Sequence, residues 1–554
     1  MSKTRSFSIY LLKEGQDETN TLKDDHKLDD QIIGNDLPEG AKLYVLDNLP
    51  HPPWWKSYFG IQKNLNQVLK GAIIFLPVGD RTFAITFGHV FHNLKDTSYE
   101  YDFGLRVTLN CVDPEKLKST DILEPAGAKR QRTQLPVDSD LTYFDFDRDS
   151  TILKSLTGKV KDEHKKLFKH ATGASNIRIS SDVTPAGLPD LCAKLLELYN
   201  DDSYKTAFPE IQNISPVRDP VVIDSLNTKL LEAVHAQDDD LALAIPEIIN
   251  YQDGLWATFS GAGVGLVYDD VYMARYFEYL DAHDVELNTI DVDALKKHCL
   301  VLTDEDGKSH GQKHSILKCL VFDTVLGTAN KTYHLSEGNW YLVDTDYIAK
   351  LTTYLNPLCV DTTLEAFNHE NEGAYNKATS AALEARICLD IKNIAPKGQK
   401  QVEPCDIFEL RDGKAVLHHV KISTLSAQLS HLFNQGVNSV KLLRGDAESM
   451  GKMKSLVEAG APDANKQKYI EPLEKDSLKV VFEIITHKDK DDKSLNLPLF
   501  SRISLMRCMK ELKMMSIEAE YCFVDDQSPK NAGKKKKRKP RKKNDGEAVE
   551  AQAA

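Results

Sequence analysis

The sequence predicts a multidomain α+β protein, in which a β-rich, mixed N-terminal region is followed by a C-terminal α/β domain. Its 554 residues, of which 41% are hydrophobic, are enough to build several cores. Short apolar runs separated by turn residues dominate the first part of the chain and predict strands. Towards the C-terminus, helical and strand-like periodicities alternate, which is typical of an α/β domain.

The N-terminal elements are predicted from periodicity and turn signals. Residues 79–82, Gly-Asp-Arg-Thr, form a turn signal between two of the strand-like runs and predict a hairpin. Strands are predicted at 7–11, 42–46, 71–78, 83–87 and 105–109, and helices at 189–199 and 221–235. The segment from His51 to Trp55, with Tyr58 and Phe59, concentrates aromatic side chains. These rings could stack on nucleic-acid bases, but packing against the strand block is the simpler expectation.

The C-terminal elements follow in the order helix, strand, strand, strand, helix, strand. The first helix is predicted at 362–383, with Glu365, His369 and Glu372 on one face. A strand at 385–392 precedes a hairpin, whose two apolar runs flank Asp412-Gly413, a strong signal for a tight turn. An apolar stripe predicts a helix at 425–443, and the run 478–486 predicts a further strand.

The hairpin brings together residues that can carry chemistry. Asp406 opens its first strand, and His419 and Lys421 lie near the end of its second strand. Residues 419 and 421 point to the same face because side chains alternate along a strand. An aspartate, a second ligand and a lysine at one end of a sheet can hold a divalent metal and polarise a phosphodiester.

These residues resemble the PD-(D/E)xK nuclease core, which has the restriction-endonuclease-like fold. Pro404-Cys405-Asp406 is similar to its first element, and His419-Val420-Lys421 to its acid-x-Lys element. The resemblance implies magnesium or manganese as cofactor, Asp406 and His419 as catalytic metal ligands, and Lys421 as the catalytic lysine. His419 departs from the family pattern, because magnesium prefers oxygen ligands. Three explanations remain: an unusual metal, a carboxylate from elsewhere, or a degenerate site.

The order of the elements resembles the αβββαβ core of the same fold. In that fold an upstream helix often contributes an acid, which implies Glu372 as a further metal ligand. On the helix after the hairpin, Ser430 and Gln435 are candidates for contacts with nucleic acid. The simpler alternatives are a cross-strand ion pair between Asp406 and Lys421, and a solvated helix face for Glu372.

The chain as a whole resembles a sporadically distributed, poorly characterised family of prokaryotic proteins. That family has an HVK segment followed by an SHLFxQG-like helix. Here these are His419-Val420-Lys421 and the segment from Ser430 to Gly436. The patchy distribution of the family suggests a part in antiviral defence against phage.

Charge is unevenly distributed along the chain. The formal net charge is −13, although the basic run at 534–543 contributes nine positive charges. The composition of this tail predicts disorder, and its charge predicts binding to nucleic acid through counterion release. Contact with the acidic body of the protein, or solubility, is the alternative. The candidate nucleic-acid-binding residues of the tail are Lys534, Lys535, Lys536, Lys537, Arg538, Lys539, Arg541, Lys542 and Lys543.

Composition also indicates where the protein works. No apolar run approaches the ~20 residues of a transmembrane helix, and the N-terminal residues lack a signal-peptide core. Nine scattered cysteines without a CxxC pair indicate neither a disulfide framework nor a zinc ribbon. We therefore expect a cytoplasmic protein without membrane partners.

The predicted domains are a mixed α+β region at 1–230, a middle mixed region at 231–355, a nuclease-like domain at 356–527 and a disordered basic tail at 528–554. The leading hypothesis is a metal-dependent nuclease acting on DNA or RNA. The alternative is a non-catalytic nucleic-acid-binding or adaptor protein on a degenerate nuclease fold. A phage component and a second copy of the chain are the other expected partners.

Overall fold

A computed structural model gives the fold of the chain. It describes residues 4–29, 34–124, 129–144, 146, 151–208, 211, 214–238, 240–246, 256–264, 266–269, 271–327, 331–397, 401–422 and 426–528. The chain divides into two compact units, one of residues 1–123 and 130–212 and the other of residues 124–129 and 213–554. Both strands and helices are present in each unit, so the predicted α+β class is confirmed.

The described residues of the first unit form a nine-stranded sheet in the order β2-β3-β4-β1-β9-β8-β7-β5-β6. Its strands are β1 (Arg5–Leu11), β2 (Lys42–Asp47), β3 (Lys70–Val78), β4 (Arg81–Phe87), β5 (Val112–Glu124), β6 (Lys129–Ser139), β7 (Ile152–Val160), β8 (His170–Gly173) and β9 (Ile177–Ser181). Its helices are α1 (Glu18–Thr21), α2 (Trp54–Tyr58), α3 (Phe103–Cys111), α4 (Leu188–Asn200) and α5 (Tyr204–Ala207). Apolar side chains of the sheet, α3 and α4 share one buried core.

The first half of the second unit is built on two antiparallel sheets. Its strands are β10 (Ile214–Pro216), β11 (Ala242–Leu243), β12 (Trp256–Ser260), β13 (Cys299–Thr303), β14 (Ser309–Ser315), β15 (Leu320–Leu326), β16 (Lys331–Ser336) and β17 (Asn339–Val343). The described strands form the sheets β10-β17-β16-β15-β11 and β12-β13-β14. The helices here are α6 (Pro220–Ala236), α7 (Met273–Asp281), α8 (Val292–Lys297), α9 (Ile316–Cys319) and α10 (Thr345–Leu355).

The second half of this unit contains a mixed sheet. Among the described residues its strand order is β18-β19-β20-β21-β22, antiparallel from β18 to β20 and parallel from β20 to β22. The strands are β18 (Arg386–Cys388), β19 (Ile407–Arg411), β20 (Lys414–Ile422), β21 (Leu478–Thr486) and β22 (Glu518–Asp525). The helices are α11 (Glu372–Ala381), α12 (Ser426–Gly445), α13 (Ala447–Gly460), α14 (Lys466–Glu474) and α15 (Leu499–Met514). Three of them, α12 to α14, make the crossover that a parallel β20–β21 pair requires.

The predicted C-terminal order of helix, three strands, helix and strand is confirmed. Asp412 and Gly413 both have positive φ, 52° and 72°, and Arg411 pairs with Lys414 across them. This is the two-residue turn that an Asp-Gly pair favours, because glycine reaches positive φ without a steric penalty. The predicted strand at 478–486 coincides with β21.

Two predictions of secondary structure are wrong. Residues 105–109 belong to helix α3 and not to a strand, because they fit a helical stripe that packs inside the first unit. The helix predicted from residue 362 begins only at Glu372, where Asn371 caps α11 by accepting a hydrogen bond from the Ala374 N–H. Glu365 and His369 therefore do not share a helix face with Glu372.

Candidate metal centre

Three strand ends of the mixed sheet meet at one edge. Strand β18 ends there, β19 begins there and β20 ends there, because the three strands are antiparallel. Asp406 lies immediately before β19, and its N–H donates to the His418 carbonyl at 2.9 Å. Its own carbonyl accepts from the Leu389 N–H at 2.9 Å. The backbone of Asp406 is therefore fixed between the two neighbouring chain segments.

Three carboxylates converge at this edge. Asp390 follows β18, and Glu403 and Asp406 precede β19. One carboxylate oxygen from each of them lies within 4.8 Å of the others. Carboxylate oxygens are ligands that magnesium, manganese and calcium prefer, so this donor set is suited to a hard divalent cation.

A fourth carboxylate connects the triad to the lysine. Glu372, the first residue of α11, accepts a hydrogen bond from the Lys421 ammonium at 3.1 Å and another from the Ile422 N–H at 2.9 Å. Lys421 is placed near the end of β20, on the sheet face to which Asp406 also belongs by strand alternation. The predicted residues Asp406, Glu372 and Lys421 therefore lie at one edge of the sheet.

The electrostatics of this edge favour binding of a cation. Burial, together with the nearby Glu372, Asp390 and Glu403, raises the pKa of Asp406 to about 7. Burial and the same kind of repulsion raise the pKa of Glu403. An acid that is buried among other acids is stabilised by a proton or by a metal ion. The triad would therefore bind a metal ion in competition with protons.

Hydrogen bonds fix the acids in place. The Val420 N–H donates to Asp406 Oδ2 at 2.7 Å, and the Gln435 amide on α12 donates to Glu403 Oε2 at 3.1 Å. Asp390 approaches the first turn of α11 so closely that a side chain at Gly373 would lie 3.1 Å from its Oδ2. These contacts come from three elements that the hydrophobic core holds together.

The backbone beside Asp390 is strained. Ile391 has a φ of 62°, a left-handed conformation that is costly for a β-branched residue. The side chain of Ile391 is exposed, so no packing contact requires isoleucine there. Strain of this kind concentrates at functional sites. Here it turns the chain sharply just after an acid of the triad.

His419 occupies a different environment. Its ring is fully buried, packs against Phe482 with ring centroids 6.0 Å apart, and has no hydrogen-bond partner among the described residues. Burial lowers the pKa of His419 to about 3, so the ring is neutral. It is not among the described residues that group as metal ligands. We therefore no longer assign His419 as a metal ligand. The carboxylates of the triad are the candidate ligands in its place.

Helix α12, which follows the hairpin, packs closely against the sheet, and this packing explains the glycine at position 436. At Gly436 a side chain would come within 2.5 Å of the Phe482 ring and 3.3 Å of the His419 ring. Glycine thus lets α12 pack closely on β20 and β21. Ser430 is buried on the same helix, and its hydroxyl has no partner among the described residues. Gln435 contacts the triad, whereas the predicted basic residues from Lys534 to Lys543 lie outside the described residues.

Sequence reasoning missed Asp390 and Glu403. Asp390 lies in the strand expected at 385–392, whereas Glu403 stands three residues before Asp406, outside the predicted elements. The signal that could have found them is the antiparallel order of β18 and β19, which brings the end of one strand beside the start of the next. The short length of β18, only Arg386–Cys388, placed Asp390 in the turn beyond it.

Comparison with known proteins places the chain in a family. A family model described as a family of unknown function (DUF6119) matches residues 7–525 of the chain. No curated protein and no solved structure matches it. In the part of the chain that the structure describes, no helix is both long and apolar enough to cross a membrane.

Proposed function

The chain belongs to a family of unknown function, DUF6119. We propose that its C-terminal domain is a metal-dependent nuclease with a restriction-endonuclease-like fold. The observation that carries the proposal is the convergence of Asp390, Glu403 and Asp406 at the sheet edge where Glu372 holds Lys421. Carboxylates beside a lysine suit the hydrolysis of a phosphodiester better than a purely structural role.

The topology supports this proposal. The antiparallel strands β18 to β20, the helical crossover and the parallel strand β21 have the order and directions expected of the PD-(D/E)xK core. Asp406 and Lys421 match two of its three motif positions. His419 stands where the motif has an acid, and we assign the missing oxygen ligands to Asp390 and Glu403. This corresponds to the second of the three explanations left open by the sequence, a carboxylate from elsewhere.

Each residue then has a distinct task. A bound magnesium or manganese ion would polarise the scissile phosphate and lower the pKa of a water molecule. Asp390, Glu403 and Asp406 would hold the ion, and Glu372 keeps the Lys421 ammonium at the same edge. When a phosphate enters, the Lys421 ammonium can donate to a phosphate oxygen and stabilise the negative charge that grows there. Gln435 keeps Glu403 in place through its amide.

A second candidate function follows from His419. Replacement of the motif acid by a buried, neutral imidazole is the observation that favours a nucleic-acid-binding or adaptor protein on an inactivated nuclease fold. In that case the acids would bind metal without supporting hydrolysis. Participation in phage defence, a cytoplasmic location, and a phage component or second copy as partner remain predictions.

The nuclease proposal can be tested with the purified full-length chain. End-labelled DNA and RNA, single-stranded and duplex, are incubated with magnesium, manganese or EDTA. Asp390→Asn, Asp406→Asn and Lys421→Ala should each lower the cleavage rate by at least about 100-fold, since each removes a group that acts on the transition state. Glu384→Gln, an exposed acid outside the triad, is the matched control and should cut normally.

The outcomes separate the two candidate functions. Cleavage that survives both Asp390→Asn and Asp406→Asn would place the activity elsewhere and overturn the proposed site. Metal binding by the wild type, measured by calorimetry with manganese, together with nucleic-acid binding but no cleavage under any metal, would favour the adaptor. Deletion of residues 529–554 should weaken nucleic-acid binding and flatten its salt dependence if the basic tail contacts phosphates.

A further inference from the structure

The first unit presents a long exposed segment between β2 and β3. The segment is closed at its base by Pro53, which is buried, and by paired backbone hydrogen bonds between His51 and Gln67 at 2.8 and 3.1 Å. The structure describes all residues from Trp54 to Lys70, and none of them is buried. The helix α2 within this segment therefore has no buried side chain at all.

Large aromatic rings dominate this exposed segment. Trp54, Tyr58 and Phe59 are 73%, 74% and 68% exposed. Trp54 contacts Tyr58 edge-to-face, with centroids 5.8 Å apart, and Tyr58 contacts Phe59 in the same way at 4.9 Å. Because the rings meet at steep angles and do not stack on one another, ring faces remain open to a ligand.

The expectation that these aromatics pack against the strand block is wrong. Aromatic side chains that stabilise a core lose most of their accessible surface, whereas Trp54, Tyr58 and Phe59 keep about two thirds or more of theirs. Exposing contiguous apolar surface is unfavourable in water, and such patches usually mark an interaction site. A ligand that covered these rings would remove the cost of exposing them.

A second group of rings leaves the sheet at the same end of the β3–β4 hairpin. His89, Phe91 and His92 follow β4, with the His89 and Phe91 rings 5.2 Å apart and Phe91 substantially exposed. The chain at Gly88 lies directly on the start of β3, since a side chain at Gly88 would come within 2.7 Å of the Lys70 carbonyl oxygen. The exposed segment also joins β3 at that point, so both aromatic groups border the same end of the hairpin.

The charge of this region is opposite to that of the rest of the protein. The sequence from residue 48 to 79 contains Lys56, Lys63 and Lys70 and no acid, although the whole chain has a formal charge of −13. Lys70 is paired with Asp47. Lys56 and Lys63 have no carboxylate partner among the described residues. A polyanion would complement these cations and would be repelled by much of the remaining chain.

We infer that residues 54–70, with the rings at His89 to His92, form a binding surface for single-stranded nucleic acid. Unpaired bases can stack on exposed aromatic faces, and lysines beside them can contact the phosphates. In a duplex the base faces are already covered by neighbouring bases, so the rings favour a single strand. A second copy of this chain would bring like charges together at the lysines, which makes it a poorer occupant.

This inference names single-stranded nucleic acid as the substrate class of the proposed nuclease, and in that respect it rests on the proposed function. The binding of a single strand to this surface does not depend on that proposal. Binding itself can be measured without hydrolysis. The experiments therefore use full-length protein in EDTA, so that failure to bind and failure to cut are distinguished. A protein that cuts but does not use this surface would contradict the inference and leave the nuclease proposal intact.

The main variant is Trp54→Ala/Tyr58→Ala/Phe59→Ala, tested for binding to labelled oligothymidylate and to a duplex of the same length. Single-strand affinity should fall at least about tenfold, because stacking on one ring alone is worth several-fold or more. Duplex affinity should fall much less, so the preference for single strands is lost. The ratio of single-strand to duplex affinity is the quantity to compare, because the basic tail binds both forms through charge and its contribution largely cancels in the ratio.

Three controls accompany the ring variant. Tyr143→Ala removes an equally exposed aromatic ring in the same unit and should change nothing. Trp54→Phe keeps a ring and should retain most of the affinity. Lys56→Ala/Lys63→Ala should reduce the slope of log K against log salt by about 1.4, the value for two phosphate contacts on a single strand, whereas the exposed Lys166→Ala should not.

The inference fails if the ring variant binds single strands as tightly as the wild type. It also fails if the variant alters only self-association, measured by light scattering, or only flotation with vesicles of anionic phospholipid. In those cases the surface would serve a second copy or a membrane surface. Loss of single-strand binding together with unchanged circular dichroism supports the inference.

Discussion

Two parts of the C-terminal sheet both bury charged groups, but they balance them differently. On the face that packs against α11, Arg386, Glu409, His418 and Glu483 come from four adjacent strands and neutralise one another. At the sheet edge, Glu372, Asp390, Glu403 and Asp406 lie near one another, and Lys421 forms an ion pair with Glu372. In the first set each buried carboxylate is paired with a cation, whereas Asp390, Glu403 and Asp406 have no ion-pair partner among the described residues. A buried network that satisfies itself stabilises the fold, whereas one that does not needs a ligand.

The balanced network centres on His418. Its Nδ1 lies 2.9 Å from Glu483 and its Nε2 lies 3.0 Å from Glu409, and the guanidinium of Arg386 reaches Glu409 at 3.4 Å. Burial alone would lower the pKa of His418, but the hydrogen bonds to the two glutamates raise it above its usual value. The imidazole is therefore held as a cation between two carboxylates, and Thr362 donates to the remaining oxygen of Glu483 at 2.7 Å.

The largest effect on stability is expected for His418→Leu. It would leave Glu409 and Glu483 buried without their shared cation, and breaking a buried ion pair in this way costs about 3–5 kcal/mol. Urea titrations should show this loss in the free energy of unfolding. Manganese affinity of the fraction that remains folded should stay nearly unchanged, because the network does not include the triad.

A matched variant tests whether the network is structural only. Replacing His418, Glu409 and Glu483 together by leucine removes three of the four charges and leaves Arg386 paired with Glu365, and we expect it to recover part of the stability lost in the single variant. If His418→Leu weakens manganese binding as strongly as Asp390→Asn does, the two regions are coupled and the comparison between them is broken.

The next largest effect is expected for Asp406→Asn in metal-free protein, which should gain stability in a pH-dependent way. The folded pKa of Asp406 is about 7, above its usual value of 3.8, so the folded state keeps a proton that the unfolded state has released. Stability therefore falls as pH rises from about 4 to 7, by at most about 4 kcal/mol. The asparagine can still accept from the Val420 N–H and is free of this cost. Urea titrations in EDTA should show the gain at pH 8 and little of it at pH 4.

Bound metal should reduce or reverse the stability advantage of Asp406→Asn over the wild type. Saturating manganese should stabilise the wild type at pH 8 by mass action, and should do so much less for Asp406→Asn. Equal stabilisation of both proteins by manganese would mean that the ion binds away from Asp406. Glu384→Gln again serves as the control with an unchanged response.

The sequence predicted what local patterns determine. The hairpin followed from Asp412-Gly413, the strand β21 from its apolar run, and α12 from its stripe, because each signal lies within one segment. Chemistry at the edge was predicted in part, since Asp406, Lys421 and Glu372 match a known pattern. Asp390 and Glu403 became visible only when strands distant in sequence were brought side by side. The same applies to His418, whose partners come from two other strands, and to Trp54, whose exposure depends on what the fold leaves uncovered.

A smaller gain is expected for His419→Leu, which tests the role of a residue next to the network. The buried imidazole has no hydrogen-bond partner among the described residues, and leaving such a group unpaired costs about 1–3 kcal/mol. Its pKa is lowered to about 3, so the folded state excludes a proton that the unfolded state binds below its usual pKa of 6.5. The gain should therefore grow as pH falls, by about 2 kcal/mol between pH 8 and pH 5. Loss of manganese binding in this variant would instead restore His419 as a ligand.

The smallest effect concerns the strained residue beside the acid triad. Ile391→Gly relieves a left-handed conformation that costs about 1–2 kcal/mol for an ordinary residue, while glycine loses about 0.5–1 kcal/mol to greater freedom in the unfolded chain. We expect a net gain in stability below about 1 kcal/mol, together with weaker manganese binding if the strain positions Asp390. Leu383→Gly, an exposed apolar residue without positive φ, should lose stability and keep its manganese affinity. A stability gain with unchanged metal affinity would show that the turn at Ile391 is a local defect of the fold and does not serve the acid edge.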